Sequence, residues 1–281
     1  MLTRNIPWAS TYGNHDSQFN LSREALFHEE NKYDLSYTQH SPPGIPGVTN
    51  YYLPIFKQKK NCDGNPVAIL WFFDSQGGTP FQGAKESIPS WVEPSTAAWF
   101  LATQKSQEKR WGKELPSLAF VHIPPSAFLT FQENVLPNVG DESGHFPGLN
   151  DDVPLDQQGD GWQDVPFMQA LADTEGMHSV YSGHDHGDAW CGNWPEGGNN
   201  TASVSKPHVC FCKHTGYGGY GTWNRGSRNL KLSFNGSYSA ASKQERMEVE
   251  TWIRMENGDV VQRVGLNSTY GTDTYPPADG Q

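Results

Sequence analysis

Met177-His178-Ser179-Val180-Tyr181-Ser182 runs directly into Gly183-His184-Asp185-His186-Gly187-Asp188. The first six residues read as a short buried strand. The next six place two imidazoles and two carboxylates in a turn bracketed by glycines, which allow the tight backbone such a turn needs. Two other segments repeat the pattern of metal-competent side chains in a loop. Tyr12-Gly13-Asn14-His15-Asp16 is one, and Val121-His122-Ile123-Pro124, closing the apolar run Ser117 to Val121, is the other. In open α/β sheets, sites lie outside the carboxyl ends of strands, so the three segments are expected to converge on one crevice.

Around them the elements alternate. Val67 to Phe73 is wholly apolar and reads as a strand buried on both faces, ending at Asp74. A helix carrying Leu21, Ala25, Leu26 and Phe27 starts near Asn20 or Ser22, either of which suits an N-cap. Pro94 opens a second helix that ends basic at Lys109-Arg110, and Asp164 is expected to cap a third that Gly176 closes. Beyond Val209 only strands follow: Leu230 to Phe234, Glu248 to Met255 and Val260 to Leu266. Asn257-Gly258 marks a hairpin between the last two. The expectation is an α/β body followed by an antiparallel β part, a single domain over 1–281. Its one long connection, Asn138 to Asp164, is rich in Gly, Asp and Pro.

Composition narrows the function classes. The chain has 281 residues with a net charge of −11, and no Lys/Arg run exceeds two residues, which argues against coating nucleic acid. The longest apolar run is far shorter than the ~20 residues a membrane helix needs. Four cysteines are too few for a disulfide scaffold. One bridge from Cys191 to Cys210 or Cys212 is compatible with the spacing, as are free thiols. Asn20, Asn199, Asn235 and Asn267 head N-x-S/T sequons, a pattern of secretory proteins, although the N-terminus carries no apolar leader.

Imidazole, carboxamide and carboxylate groups in strand-end loops suit Zn, Fe or Mn. The chemistry is metal-assisted hydrolysis, in which a pair of ions clamps the attacking and leaving oxygens of a phosphoryl transfer.

The series G-N-H-D, V-H-I-P and G-H-D-H resembles the calcineurin-like metallophosphoesterases, most closely the purple-acid-phosphatase-like branch common in fungi. The loop Lys213 to Gly221 and the ending Glu250 to Arg254 with Leu266 to Gly271 look like that branch too. The resemblance implies a β-sandwich flanked by helices, a four-layer αββα fold. It implies a phosphate monoesterase acting on a small phosphorylated substrate through a metal-bound hydroxide. Asn14, His122 and His184 would hold the second of two metal ions (Fe, Zn or Mn) and His186 the first. His15 would face the phosphoryl group and Asp16 would orient the His15 ring. The Tyr217-Gly218-Gly219-Tyr220 loop is expected either to shape the pocket rim or to be a plain turn, with His214 beside it a weaker substrate contact.

The family pattern opens with D-x-H and G-D-x-x-D, which supply most ligands of the first ion. Here G-N-H-D begins at Gly13 with neither motif before it. The expectation is therefore a chain incomplete at the N-terminus, whose full-length form is secreted or vacuolar. Two alternatives stand beside it: a non-catalytic remnant or binding module retaining half of the site, and a phosphodiesterase or nuclease using the same ligands.

Overall fold

Val67 to Phe73 is apolar throughout because it is covered on both sides. In the computed structural model, strand β2 (Pro66–Phe73) is buried at every residue but Leu70, which is only partly exposed. The structure describes residues 2–17, 20–57, 64–83, 86–136, 144–159, 162–195, 206–235 and 246–276. Cys62, the sequon at Asn199 and parts of the 138–164 connection lie outside them.

Among the described residues, β1 (Tyr51–Phe56), β2, β3 (Ser117–Val121), β4 (Met177–Ser182), β5 (Cys191–Asn193) and β6 (His208–Phe211) form one sheet in the order β1-β2-β3-β4-β6-β5. The four strands β2, β3, β4 and β6 are parallel, and the outer two are antiparallel. A second, antiparallel sheet holds β7 (Gly226–Asn235), β8 (Arg246–Met255) and β9 (Val260–Leu266). Helices α1 (Arg23–Glu30), α2 (Pro94–Trp111), α3 (Ser126–Asn134) and α4 (Val165–Asp173) complete the elements.

The two-residue period of the strands sorts the core. Ile69, Trp71, Phe73, Ala119, Val121 and Val180 point to one face and pack with Phe100 of α2, Phe128 of α3 and Phe167 of α4. Ala68, Leu118, Tyr181 and Cys210 point to the other and meet Met247, Val249, Val264 and Leu266 of the second sheet. Burying a large apolar side chain stabilises by roughly 1.5–3 kcal/mol, so continuous cover on both faces holds the layers together. Across the sheet-to-sheet face, Tyr51, Phe72, Phe120 and Tyr181 stack as a ladder with ring centroids 4.6, 5.2 and 5.3 Å apart. The described residues thus form a mixed α/β fold of helices, central sheet and antiparallel sheet. No helix among them is long and apolar enough to cross a membrane.

β1 carries Pro54, which an edge strand tolerates because a missing N–H there costs little. One local expectation changes and one open choice is decided. Asp164 sits at the head of α4 without capping it. Its carboxylate instead accepts from Ser126 N–H at 2.6 Å and Ser126 Oγ at 3.0 Å, capping α3 from a distance. Of the two candidate caps for α1, Ser22 does the work: its Oγ accepts from Ala25 N–H.

Between β4, β6 and the second sheet, the rings of His178 and His208 lie 5.6 Å apart, with Tyr270 edge-on to His208. Burial pushes His178 down to about 4 and His208 down to about 3, the latter helped by the facing His178. Both rings are therefore neutral in the fold, whereas the unfolded chain protonates them near pH 6.5. Their contribution is complete above pH 6.5 and is lost as pH falls from there toward the folded values. Comparing wild type with His208→Asn isolates this term. The stability difference is expected to move toward the variant by on the order of 2 kcal/mol between pH 6.5 and pH 4.5. Urea unfolding across that range measures it, and a pH-independent difference would contradict it.

Candidate functional site

The carboxyl ends of β3 and β4 lie side by side, with Gly183 N–H donating to His122 O at 3.1 Å. His122 and His184 follow directly, and their rings meet edge to face at 5.2 Å. His184 adopts φ +74°, a left-handed backbone that costs a non-glycine residue about 1–2 kcal/mol. Such strain persists only where the surroundings over-determine it.

The Asn14 turn closes over this pair. Asn14 Oδ1 stands 3.1 Å from His122 Nε2. Gly13 is required because a Cβ there would come within 2.8 Å of the same nitrogen. Buried Arg23, the first residue of α1, pins the turn: its Nη2 donates to Gly13 O at 2.9 Å, Gly77 O at 3.0 Å and Gln76 O at 3.2 Å. The loop after β2 presses against the turn so closely that a Cβ on Gly78 would lie 1.9 Å from Asn14 O. Asp74 shapes that loop by accepting from Val48 and Gln76 N–H groups, and Ser75 Oγ accepts from Ile123 N–H. No local pattern in the sequence marks Arg23 for this task.

Burial pushes His122 down to about 3, and the neighbouring imidazoles of His184, His15 and His186, with Arg23, act in the same direction. His184 is lowered as well, mainly by burial, against the opposing pull of Asp156 and Asp152. Both imidazoles are thus neutral and able to ligate. His15, exposed, lies close enough to act on both. Asp16, expected to orient His15, places Oδ2 on Gly13 N–H at 2.7 Å and so closes the turn. His186 stands at the rim. Its ring stacks on Tyr220 at 4.4 Å and on His214 at 5.0 Å, and its Nδ1 bonds to Tyr220 O at 3.0 Å.

An acidic strap crosses the 184–188 loop. Asp156 N–H donates to Asp185 Oδ1 and Asp152 N–H to Asp188 Oδ1. This brings Asp156 Oδ2 to 3.6 Å from His184 Nε2. Burial pushes Asp185 up to about 8 and Asp188 up to about 7, with the surrounding carboxylates adding to both. The sequence reading treats 138–164 only as a long connection and passes over these contacts.

Among the described residues no group of three or more His, Cys, Asp and Glu side chains stands ready as a metal cage. The donors that do meet are two neutral imidazoles and the Asn14 amide oxygen. With bonds of about 2.0–2.2 Å, ligand atoms on one ion lie roughly 3 Å apart, and the Asn14–His122 separation fits that spacing. The set suits one borderline ion. Among the described residues, His186 is the one left at the rim that the resemblance assigns to another ion.

No protein-family model matches the chain, and no solved structure matches it. Curated relatives do. The chain is 26% identical over 276 residues to the probable inactive purple acid phosphatase 14 of Arabidopsis thaliana, covering 90% of this chain and 60% of the relative. It is 25% identical over 280 residues to the probable inactive purple acid phosphatase 29 of the same plant, covering 91% and 63%. It is 25% identical over 195 residues to the phosphatase DCR2 of Saccharomyces cerevisiae, covering 68% and 32%. The chain therefore spans about three fifths of the length of the plant relatives, and its similarity to purple-acid-phosphatase-like proteins runs nearly end to end.

Proposed function

We propose that this chain belongs to a metal-dependent phosphoesterase that hydrolyses phosphate monoesters, on a helix-flanked αββα sandwich. The observation that carries the reading is the meeting of Asn14, His122 and His184 at the ends of β3 and β4. These residues would hold one divalent ion (Zn, Mn or Fe), with His186 the sole described candidate for a second. When bound, the ion supplies Lewis-acid charge and a more acidic water. Arg23 keeps the Asn14 turn in place by its three carbonyl contacts. His122 and His184 stay neutral through burial, so neither must shed a proton to ligate. His15, exposed beside them, would hydrogen-bond the phosphoryl oxygens and pass a proton to the leaving oxygen. The exposed sequons at Asn20 and Asn267 support a secreted or vacuolar setting.

The relatives named as probable inactive phosphatases, and the lone candidate His186 for the other ion, favour a second reading, a phosphate-binding module without turnover. Hydrolysis assays separate the two. Loaded with Mn²⁺ or Zn²⁺, the chain is expected to cleave phenyl phosphate at least ~10-fold faster than diphenyl phosphate, and His15→Ala to lose about 100-fold in kcat. Absence of turnover with retained phosphate binding would establish the second reading. A preference for the diester would instead favour a phosphodiesterase.

A further inference from the structure

We infer that Tyr217 is a stacking plate for the leaving group, so that the esters this site accepts carry a flat aromatic group. The inference rests on the phosphoesterase reading and adds the substrate class. Tyr217 is 81% exposed, yet its ring is fixed from behind. The Arg225 guanidinium covers one face at 4.0 Å from the ring centre, and the phenol donates to Glu256 Oε2 at 3.0 Å. Arg225 is itself held by Glu256 Oε1 and Gly216 O, both at 3.3 Å. An exposed side chain held at both ends loses little freedom when a ligand stacks on its open face, which is the economy of a preorganised site.

The loop that carries Tyr217 borders the metal-competent residues. Two residues beyond Tyr217, a Cβ on Gly219 would come within 2.4 Å of His186 Cε1, so this loop backbone touches the His186 ring. Two residues of chain reach at most ~7 Å, which limits the Cα of Tyr217 to that distance from Gly219. An ester whose phosphate sits near His184 and His15 would carry its leaving group toward this exposed loop in the proposed arrangement. A phenyl ring or nucleobase offers a π-face to Tyr217; a glycerol chain offers none.

The test is equilibrium binding by titration calorimetry with Mn²⁺ present, using the full chain and its Tyr217→Ala and Tyr217→Phe variants. Inorganic phosphate and the non-hydrolysable phosphonate analogues of glycerol 2-phosphate, phenyl phosphate and adenosine 5′-monophosphate are the probes, so that binding is read without turnover. Wild type is expected to bind an aromatic analogue about ten-fold tighter than the glycerol analogue, the preference lost in Tyr217→Ala and kept in Tyr217→Phe. Whichever of the phenyl and adenosine probes gains more identifies the aromatic source. An aromatic preference that is absent in wild type, or that survives in Tyr217→Ala, would overturn the plate while leaving phosphate binding intact. Failure to bind inorganic phosphate would overturn the phosphoesterase reading and the plate with it.

Discussion

His184→Gly is expected to lose at least about 100-fold in affinity for Zn²⁺ while its unfolding free energy stays level or rises by about 1 kcal/mol. The two effects have different origins. His184 holds a left-handed backbone that glycine adopts freely, so the substitution removes strain. The same change deletes one of two neutral imidazoles that face each other at the ends of β3 and β4. An affinity loss with no stability loss is the signature of strain kept for function. Zinc competition against a chelating dye reads the affinity, and urea unfolding of the metal-free protein reads the stability. Retained zinc affinity would remove His184 from the ligand set; a markedly less stable variant would mean that the ring is needed for packing.

The second large effect concerns the bridge between β5 and β6. Cys191 and Cys210 face each other in the antiparallel register of these strands and form a disulfide closing 19 residues of chain. A loop of that size restricts the unfolded state by about 3 kcal/mol. The double variant Cys191→Ser/Cys210→Ser is therefore expected to melt ~6 °C or more below wild type by calorimetry in oxidising buffer. Cys212 is a poor replacement partner, because burial pushes its thiol up to about 11 and keeps it protonated. β6 leads to Lys213 and His214, which contact Gly187 O and the His186 ring, so loosening it is expected to disturb the rim as well. An unchanged melting temperature would mean that the strand ladder alone fixes this edge.

Much of this is legible in the sequence. The apolar runs that form β2 and β3 are buried on both faces, and such strands declare themselves by continuous hydrophobicity. Strands β3 and β4 carry His122 and His184 to a common edge, which the strand-end rule anticipates. The spacing of the cysteines left two partners open for Cys191; the strand register selects Cys210. What stayed hidden depends on contacts between distant segments. Arg23 reaches three carbonyls from two loops, and Asp164 caps a helix that starts 38 residues earlier in the chain. Asp156 reaches His184 only because buried Asp185 fixes the strap. Nor does the motif disclose that Asp16 closes its own turn on Gly13 N–H or that His186 is stacked between two rings at the rim.

The most direct test of the account is metal content. After equilibration with excess Zn²⁺ and dialysis, wild type is expected to retain one ion per chain and His122→Ala none, by elemental analysis on folded, monodisperse protein. Equal zinc in both proteins, or none in wild type, would contradict a metal site built on Asn14, His122 and His184.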